Sequence, residues 1–293
     1  MKDESEKIGT LDGIIDREIE RHPHNSALIE AFRPVIIGRM RILERLQLGE
    51  AGPFVLDELR FRGGVPVIGQ RSLFQKDDPW KDVVLALIPA IKEGFPALSD
   101  DLGRLEDALR ANKIAVYDAF KAGQDNGEDI INTWAASLSI SASTIGLVLH
   151  QVSRIILEKR AGVIAELLPD GGWEKGYCPI CGAYPSLSII KEKLGERLLH
   201  CSHCGHDWRF SRVTCPYCEH EGQEGMNFFF IEDKAQESSF TCEKCRRYLI
   251  TLSRMSDLND QDLDISALGL AHLDMIMQEK KFVPMTITDW NVF

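Results

Sequence analysis

A chain of 293 residues, 44% hydrophobic and 27% charged, is long enough for two domains or one large one, and this composition excludes collagen-like and extensively disordered classes. The formal net charge of −11 is unevenly spread: −6 over residues 1–170, −1 over 171–250 and −4 over 251–293. No segment has the strong positive balance that binding a phosphate backbone requires.

The opening residues, Met1-Lys2-Asp3-Glu4-Ser5-Glu6-Lys7, lack the apolar stretch of a signal peptide. No run approaches the roughly 20 apolar residues of a membrane helix. A cytoplasmic protein with no membrane partner is therefore expected. In a reducing cytoplasm, paired cysteines more often bind metal or do redox work than form structural disulfides.

A helix is predicted from near Asp12 or Gly13 to Arg21, and His22-Pro23-His24-Asn25 breaks it in what reads as a solvated turn. Asn25 or Ser26 caps the next helix, which Pro34 bends or interrupts before the helical spacing resumes from Val35 to Leu46. Residues 50–80 lose the period: Gly52-Pro53, Gly63-Gly64, Pro66, Gly69 and Pro79 predict an ordered loop or short extended piece. Helical patterns return over 80–93, 100–112, 114–122, 128–138 and 142–168. Pro169-Asp170-Gly171-Gly172 marks the clearest boundary. Beyond it, β-prone runs at 187–190, 197–200, 208–210, 228–231 and 248–252 suit small hairpins. From 257 the chain turns helical again, and a tail with Pro284 and Trp290 follows.

All eight cysteines fall into four Cys-x-x-Cys pairs: Cys178/Cys181, Cys201/Cys204, Cys215/Cys218 and Cys242/Cys245. Two residues between cysteines let one tight turn aim both sulfurs at a common point, and two such turns supply the tetrahedral thiolate set of zinc or iron. Joining the knuckles in sequence gives site 1 (Cys178, Cys181, Cys201, Cys204) and site 2 (Cys215, Cys218, Cys242, Cys245), hence two metal ions per chain. Cross-brace pairing, first with third and second with fourth, is the alternative. Sequential pairing closes smaller loops and is preferred on that ground. Four protein ligands leave no open position for a substrate, which makes structural clamps the default reading; redox-active iron, as in rubredoxin-like centres, is the sharper one. No catalytic motif of the nucleophile–base, P-loop or dinucleotide type is present, so an accessory protein rather than an enzyme is expected.

Two rival functions stay open on the residues alone. Zinc ribbons often bind nucleic acid, and Arg209, Arg212, Arg246 and Arg247 would be the local basic patch. Thiol-disulfide exchange is the other, although a single Cys-x-x-Cys opening a helix is lacking. His200, His203, His206 and His220 crowd the knuckles as surface or supporting residues. Phe282 and Trp290 suit either a homodimer contact or the core.

The expected fold is α+β. An all-α helical N-terminal domain spans 1–168. A tandem metal-binding module with four cysteines per site spans 173–256, built of two small rubredoxin- or zinc-ribbon-like halves (173–212 and 213–256). A C-terminal helix and tail span 257–293.

The motifs resemble one family in particular. Tyr177-Cys178-Pro179-Ile180-Cys181-Gly182, Gly195-Glu196-Arg197-Leu198-Leu199-His200-Cys201-Ser202-His203-Cys204 with Asp207-Trp208, Arg212-Val213-Thr214-Cys215-Pro216-Tyr217-Cys218, and Cys242-Glu243-Lys244-Cys245 with Tyr248-Leu249 are similar to the formate dehydrogenase accessory proteins called FdhE. Gly64-Val65-Pro66 and Leu273-Asp274 add to the likeness. The resemblance implies a cytoplasmic protein that binds the catalytic subunit of formate dehydrogenase and is needed for its activity. It also implies rubredoxin-like centres at the eight cysteines, with iron favoured over zinc. One departure stands out. Glu219 and Arg246 follow the third and fourth knuckles, and glycine is expected in the fourth. A Cβ resists positive φ, so a distorted, less tightly held second site is expected.

Overall fold

The computed structural model describes residues 4–49, 55–124, 128–191, 195–222, 224–231, 234, 236–255 and 262–291. The helices come first: α1 (Glu4–Arg21), α2 (Ser26–Arg45), α3 (Glu58–Arg62), α4 (Trp80–Gly94), α5 (Ser99–Arg110), α6 (Val116–Gln124), α7 (Glu128–Leu138) and α8 (Ala142–Ala165). Strands β1 (Pro185–Lys191), β2 (Arg197–Cys201), β3 (Asp207–Phe210), β4 (Met226–Phe230), β5 (Glu237–Cys242) and β6 (Arg247–Met255) follow. Helices α9 (Leu263–Gly269) and α10 (Ala271–Glu279) and the short β7 (Val283–Pro284) close the chain. The architecture is the expected α+β one.

By internal contacts the chain falls into two compact units, Met1–Asp12 with Glu30–Gly52 and Phe74–Lys159, and Gly13–Ile29 with Pro53–Leu73 and Arg160–Phe293. This division cuts across the boundary expected near residue 168: residues 13–29 and 53–73 belong by contact with the cysteine-bearing part.

In the first unit, α4 buries Trp80, Val83, Val84, Leu87, Ile88 and Ile91, and α5 buries Leu102, Leu105, Ala108 and Leu109. These are amphipathic stripes at helical spacing. Of the bend or interruption expected at Pro34, the interruption does not occur: Pro34 sits inside α2 without ending it. Close backbone approach accompanies it. A Cβ on Gly38 would lie 2.9 Å from the Ala90 Cβ, and one on Gly94 would lie 2.0 Å from the Ala31 carbonyl oxygen. Small residues thus let α2 and α4 meet where larger ones would hold them apart. The rings of Phe74, Trp80 and Phe120 pack at centroid distances of 4.4–5.6 Å.

In the second unit the expected loop before residue 80 contains structure: Asp57 caps α3, its carboxylate accepting from the Arg60 N–H at 3.0 Å, and a 3-10 turn covers Val67–Gly69. Gly52-Pro53 lies outside the described residues. The strands do not stay as separate hairpins. They form one sheet in the order β3-β2-β1-β6-β5-β4, with β7 on β6. Antiparallel β1–β2–β3 and β4–β5–β6 are joined by a parallel pairing of β1 with β6, in which Leu187 faces Ile250 and Ile189 faces Leu252. The period-2 residues Leu187, Ile189, Tyr248, Ile250 and Leu252 turn one face toward Leu263, Leu270, Leu273 and Met277 of the C-terminal helical segment. Phe282 and Trp290 belong to that core. The single predicted C-terminal helix is two, α9 and α10, which meet at Leu270.

Candidate metal centres

Each half of the sheet repeats one order: knuckle, strand, strand, knuckle, strand. The second knuckle links β2 to β3 and the fourth links β5 to β6, so the tight turn of a hairpin is itself the ligand loop. The first and third knuckles precede β1 and β4.

All four knuckles share one hydrogen-bonded geometry. The N–H of the residue after the second cysteine donates to the carbonyl of the first: Gly182 to Cys178 (2.9 Å), Gly205 to Cys201 (3.3 Å), Glu219 to Cys215 (3.0 Å) and Arg246 to Cys242 (2.8 Å). Those four residues all take positive φ, 75°, 69°, 55° and 58° respectively. The expectation of a distorted second site is therefore corrected. The turn imposes the left-handed conformation, and side-chain contacts offset its cost at the non-glycine positions. Arg246 stacks over the Phe282 ring at 3.9 Å and pairs with Glu243, and Glu219 accepts from Lys175 at 2.9 Å.

The sulfurs converge as sequential pairing requires. Cys178, Cys181, Cys201 and Cys204 form one set and Cys215, Cys218, Cys242 and Cys245 the other, each with all sulfurs within 4.8 Å of one another. None of the eight is in a disulfide. Sulfur–sulfur contacts are 3.5 Å (Cys178–Cys204) and 3.4 Å (Cys181–Cys201) in the first set, and 3.8 Å (Cys215–Cys245, Cys218–Cys242) in the second. A tetrahedron with metal–sulfur bonds of ~2.3 Å has sulfur–sulfur edges of about 3.8 Å, so the donor sets fit a thiolate-bound ion. Cys201 Sγ also accepts from the backbone N–H groups of His203 and Cys204, both at 3.4 Å.

Packed thiols without a cation divide their protons unequally. Burial pushes the Cys178 thiol up, while its sulfur neighbours push Cys204 up. The Cys245 thiol pulls Cys215 down to about 5, and the same contact drives Cys245 up. A divalent ion removes this conflict by stabilising all four thiolates.

The surroundings lock the turns in place. In the first knuckle, the carbonyls of Pro179 and Ile180 accept from the N–H groups of Val67 and Ile68, both at 2.9 Å, and the Tyr177 hydroxyl donates to the Gly64 carbonyl at 2.7 Å. The Gly64-Val65-Pro66 segment thus docks on the first knuckle. His200 is buried between Asp207 (2.7 Å) and Asp264 (3.1 Å); burial opposes its charged form, but the two carboxylates outweigh burial and raise it to about 10. His206 is lowered by burial, and His220 faces the Glu224 carbonyl at 3.1 Å. None of these histidines falls within a cysteine set.

Arg197 enters the sequence reading only as part of a β-prone run and of the FdhE-like motif, with no role of its own. It is buried, donates to Ser188 Oγ (2.9 Å) and to the carbonyls of Thr214 (3.3 Å) and Ser211 (3.4 Å), and lies 4.7 Å over the Phe240 ring. Burial lowers it to about 10, while the charge of Cys215 favours its protonated form. It therefore links the first ribbon to the approach of the third knuckle and offsets negative charge there. The candidate basic patch is largely engaged: Arg209 pairs with Glu196, Arg246 with Glu243, and Arg247 stacks over Tyr217 at 3.8 Å. A cleft of about 810 Å³ beside the ribbons mixes Arg62, Arg209 and Arg212 with Glu174, Glu196 and Glu219. Among the described residues, no helix is long and apolar enough to cross a membrane.

An α-helical N-terminal part, followed by one sheet that fuses two four-cysteine ribbons, defines a class of paired-ribbon metal-site proteins. Known proteins narrow that class. The sequence signature of the FdhE central domain matches residues 177–212. A protein FdhE homolog of Aquifex aeolicus is 32% identical over 117 residues, 38% of this chain and 40% of that protein. Protein FdhE of Escherichia coli is 25% identical over 189 residues, 62% of this chain and 56% of that protein, so the chain spans about half the length of the curated relatives it matches. The crystal structure of the FdhE protein from Pseudomonas aeruginosa superposes with a TM-score of 0.61 over 96% of this chain and 94% of that one, at 19% identity, and shares the fold. The chain is similar to FdhE proteins in its central sequence signature and in its fold.

Proposed function

We propose that the chain is a formate dehydrogenase accessory protein: it binds the catalytic subunit of that enzyme in the cytoplasm, is needed for the subunit's activity, and is not itself an enzyme. The observation that carries this reading is the pair of closed four-sulfur sets within a chain similar to FdhE proteins. Four cysteines per ion leave no vacant position for a substrate, which supports action through protein contact rather than through turnover at the metals.

Each site holds one ion, iron or zinc, through the sulfurs of Cys178, Cys181, Cys201 and Cys204 and of Cys215, Cys218, Cys242 and Cys245. Iron would supply one-electron exchange, whereas zinc would act as a clamp. The residues' own part is to hold eight thiolates at fixed spacing. The engaged arginines favour this reading over nucleic-acid binding, because the candidate patch has few free cations left for phosphates.

The test is capture of a formate dehydrogenase catalytic subunit on the immobilised full chain, paired with formate dehydrogenase activity in a host lacking its own FdhE. Retention of the subunit and restored activity are expected. No retention together with unchanged activity would overturn the proposal.

A further inference from the structure

A second kind of donor cluster lies in the same unit, away from the cysteines. The sequence suggests a solvated turn for His22 and His24, yet His22 is only 2% exposed. It ends α1, His24 lies in the 3-10 turn Pro23–Asn25, and His272 stands at the start of α10. One ring nitrogen from each of the three lies within 4.8 Å of the others. The His24 and His272 rings meet edge to face at 4.4 Å, and His22 lies 5.7 Å from His272.

The hydrogen bonds decide which nitrogens remain for a ligand. His22 Nε2 lies 3.3 Å from Glu18 Oε1 and 3.5 Å from Glu237 Oε1, so that nitrogen carries the proton and donates to carboxylate. His22 Nδ1 is buried without a hydrogen-bond partner. His272 Nδ1 lies 3.2 Å from Asn25 Nδ2, an amide that donates to the Gly269 carbonyl at 2.7 Å, and His272 Nε2 is buried without a hydrogen-bond partner. Two buried nitrogens with nothing to bind are a cost that a native fold seldom leaves uncompensated. The backing of His22 by two carboxylates is the arrangement that orients a metal-ligating imidazole.

We propose that His22, His24 and His272 form a third metal site, which binds one divalent first-row transition ion of zinc type through three imidazole nitrogens. The neighbouring charges permit it. Glu18 is paired with Arg21 at 3.6 Å and Glu237 with Lys234 at 3.5 Å, so the two nearby carboxylates match the two nearby cations. Tetrahedral ligation with bonds of ~2.1 Å brings nitrogens to about 3.4 Å, a small closure for the exposed His24. Gly269 makes room for the backing carboxylate: a Cβ there would lie 2.0 Å from Glu18 Oε1. His24 at the surface gives the ion an entry path and leaves an open position.

The experiment uses untagged full-length protein with both cysteine sites loaded with zinc. Zinc is titrated in by calorimetry near neutral pH, and bound metal is counted after desalting. Three ions per chain are expected in the wild type, and two in His24→Ala, whose exposed site leaves the fold intact. Glu18→Gln is expected to weaken the third binding event by about 10–100-fold while the two cysteine-bound ions remain. Two ions in the wild type, or a third that His24→Ala leaves unchanged, would overturn the assignment. Neither result bears on capture of the formate dehydrogenase subunit, so this inference and the proposed function fail separately.

Discussion

The Tyr248 hydroxyl donates to Asp274 Oδ1 at 2.8 Å, tying β6 at the centre of the sheet to α10. Burial raises Asp274 to about 7. An unfolded aspartate ionises near pH 3.9, so between about pH 4 and 7 the folded state holds a proton that the unfolded state has lost. Stability should therefore fall as pH rises through that window and level off above it. Asp274→Asn keeps an acceptor for Tyr248 but cannot ionise. Its stability relative to wild type should rise across the window by roughly 4 kcal/mol, measured by denaturation of the metal-loaded proteins. A difference that stays flat with pH would place Asp274 at an ordinary carboxylate value.

The two cysteine sets differ in shelter. Only Cys181 is half-buried in the first, whereas Cys218 and Cys245 both are in the second. A chelator reaches a half-exposed thiolate first, so metal should leave in two phases with the second site emptying faster. Removing Cys215 and Cys218 together as serines should lower the count of cysteine-bound metals from two to one and abolish the fast phase of their release alone. Loss of both metals in that variant would contradict the sequential assignment of ligands.

Gly176 stands two residues before the first ligand and touches the third knuckle. A Cβ at this position would lie 1.9 Å from the Pro216 carbonyl oxygen, a backbone atom that cannot swing aside. Gly176→Ala should therefore destabilise by about 1–3 kcal/mol and speed metal release from the second site. Tyr177→Phe, next in the chain, removes one hydrogen bond to Gly64 and should cost only about 1 kcal/mol without metal loss. Comparing melting and chelation of the two variants separates a backbone collision from a lost contact.

What the sequence makes legible is local. Cysteine spacing names both ligand sets, because a Cys-x-x-Cys turn is a self-contained geometry, and helical periodicity places α4 to α8. What it hides depends on distant partners. The parallel joining of β1 to β6 links residues some sixty positions apart, and neither strand's alternation says which neighbour it takes. At Arg246 the Cβ alone argues against positive φ, while the ring contact with Phe282 that offsets the cost comes from 36 residues downstream. His22 reads as a turn residue because its partner, His272, lies 250 positions away.

The last strand of the sheet order is the place predicted for the proposed client contact. Strand β4 is an edge, and its alternate residues Phe228 and Phe230 are 44% and 64% exposed, with Ile231 at 38%. Phe229, on the opposite face, packs against the core near Phe282. An edge strand with exposed apolar side chains ordinarily invites pairing with another chain. Phe230→Lys changes only the exposed face, so both cysteine sites should keep their metal. Capture of the formate dehydrogenase catalytic subunit should weaken by about 2 kcal/mol, the scale of a central aromatic contact. Undiminished capture by Phe230→Lys, with wild-type capture intact, would show that the client docks elsewhere on the chain.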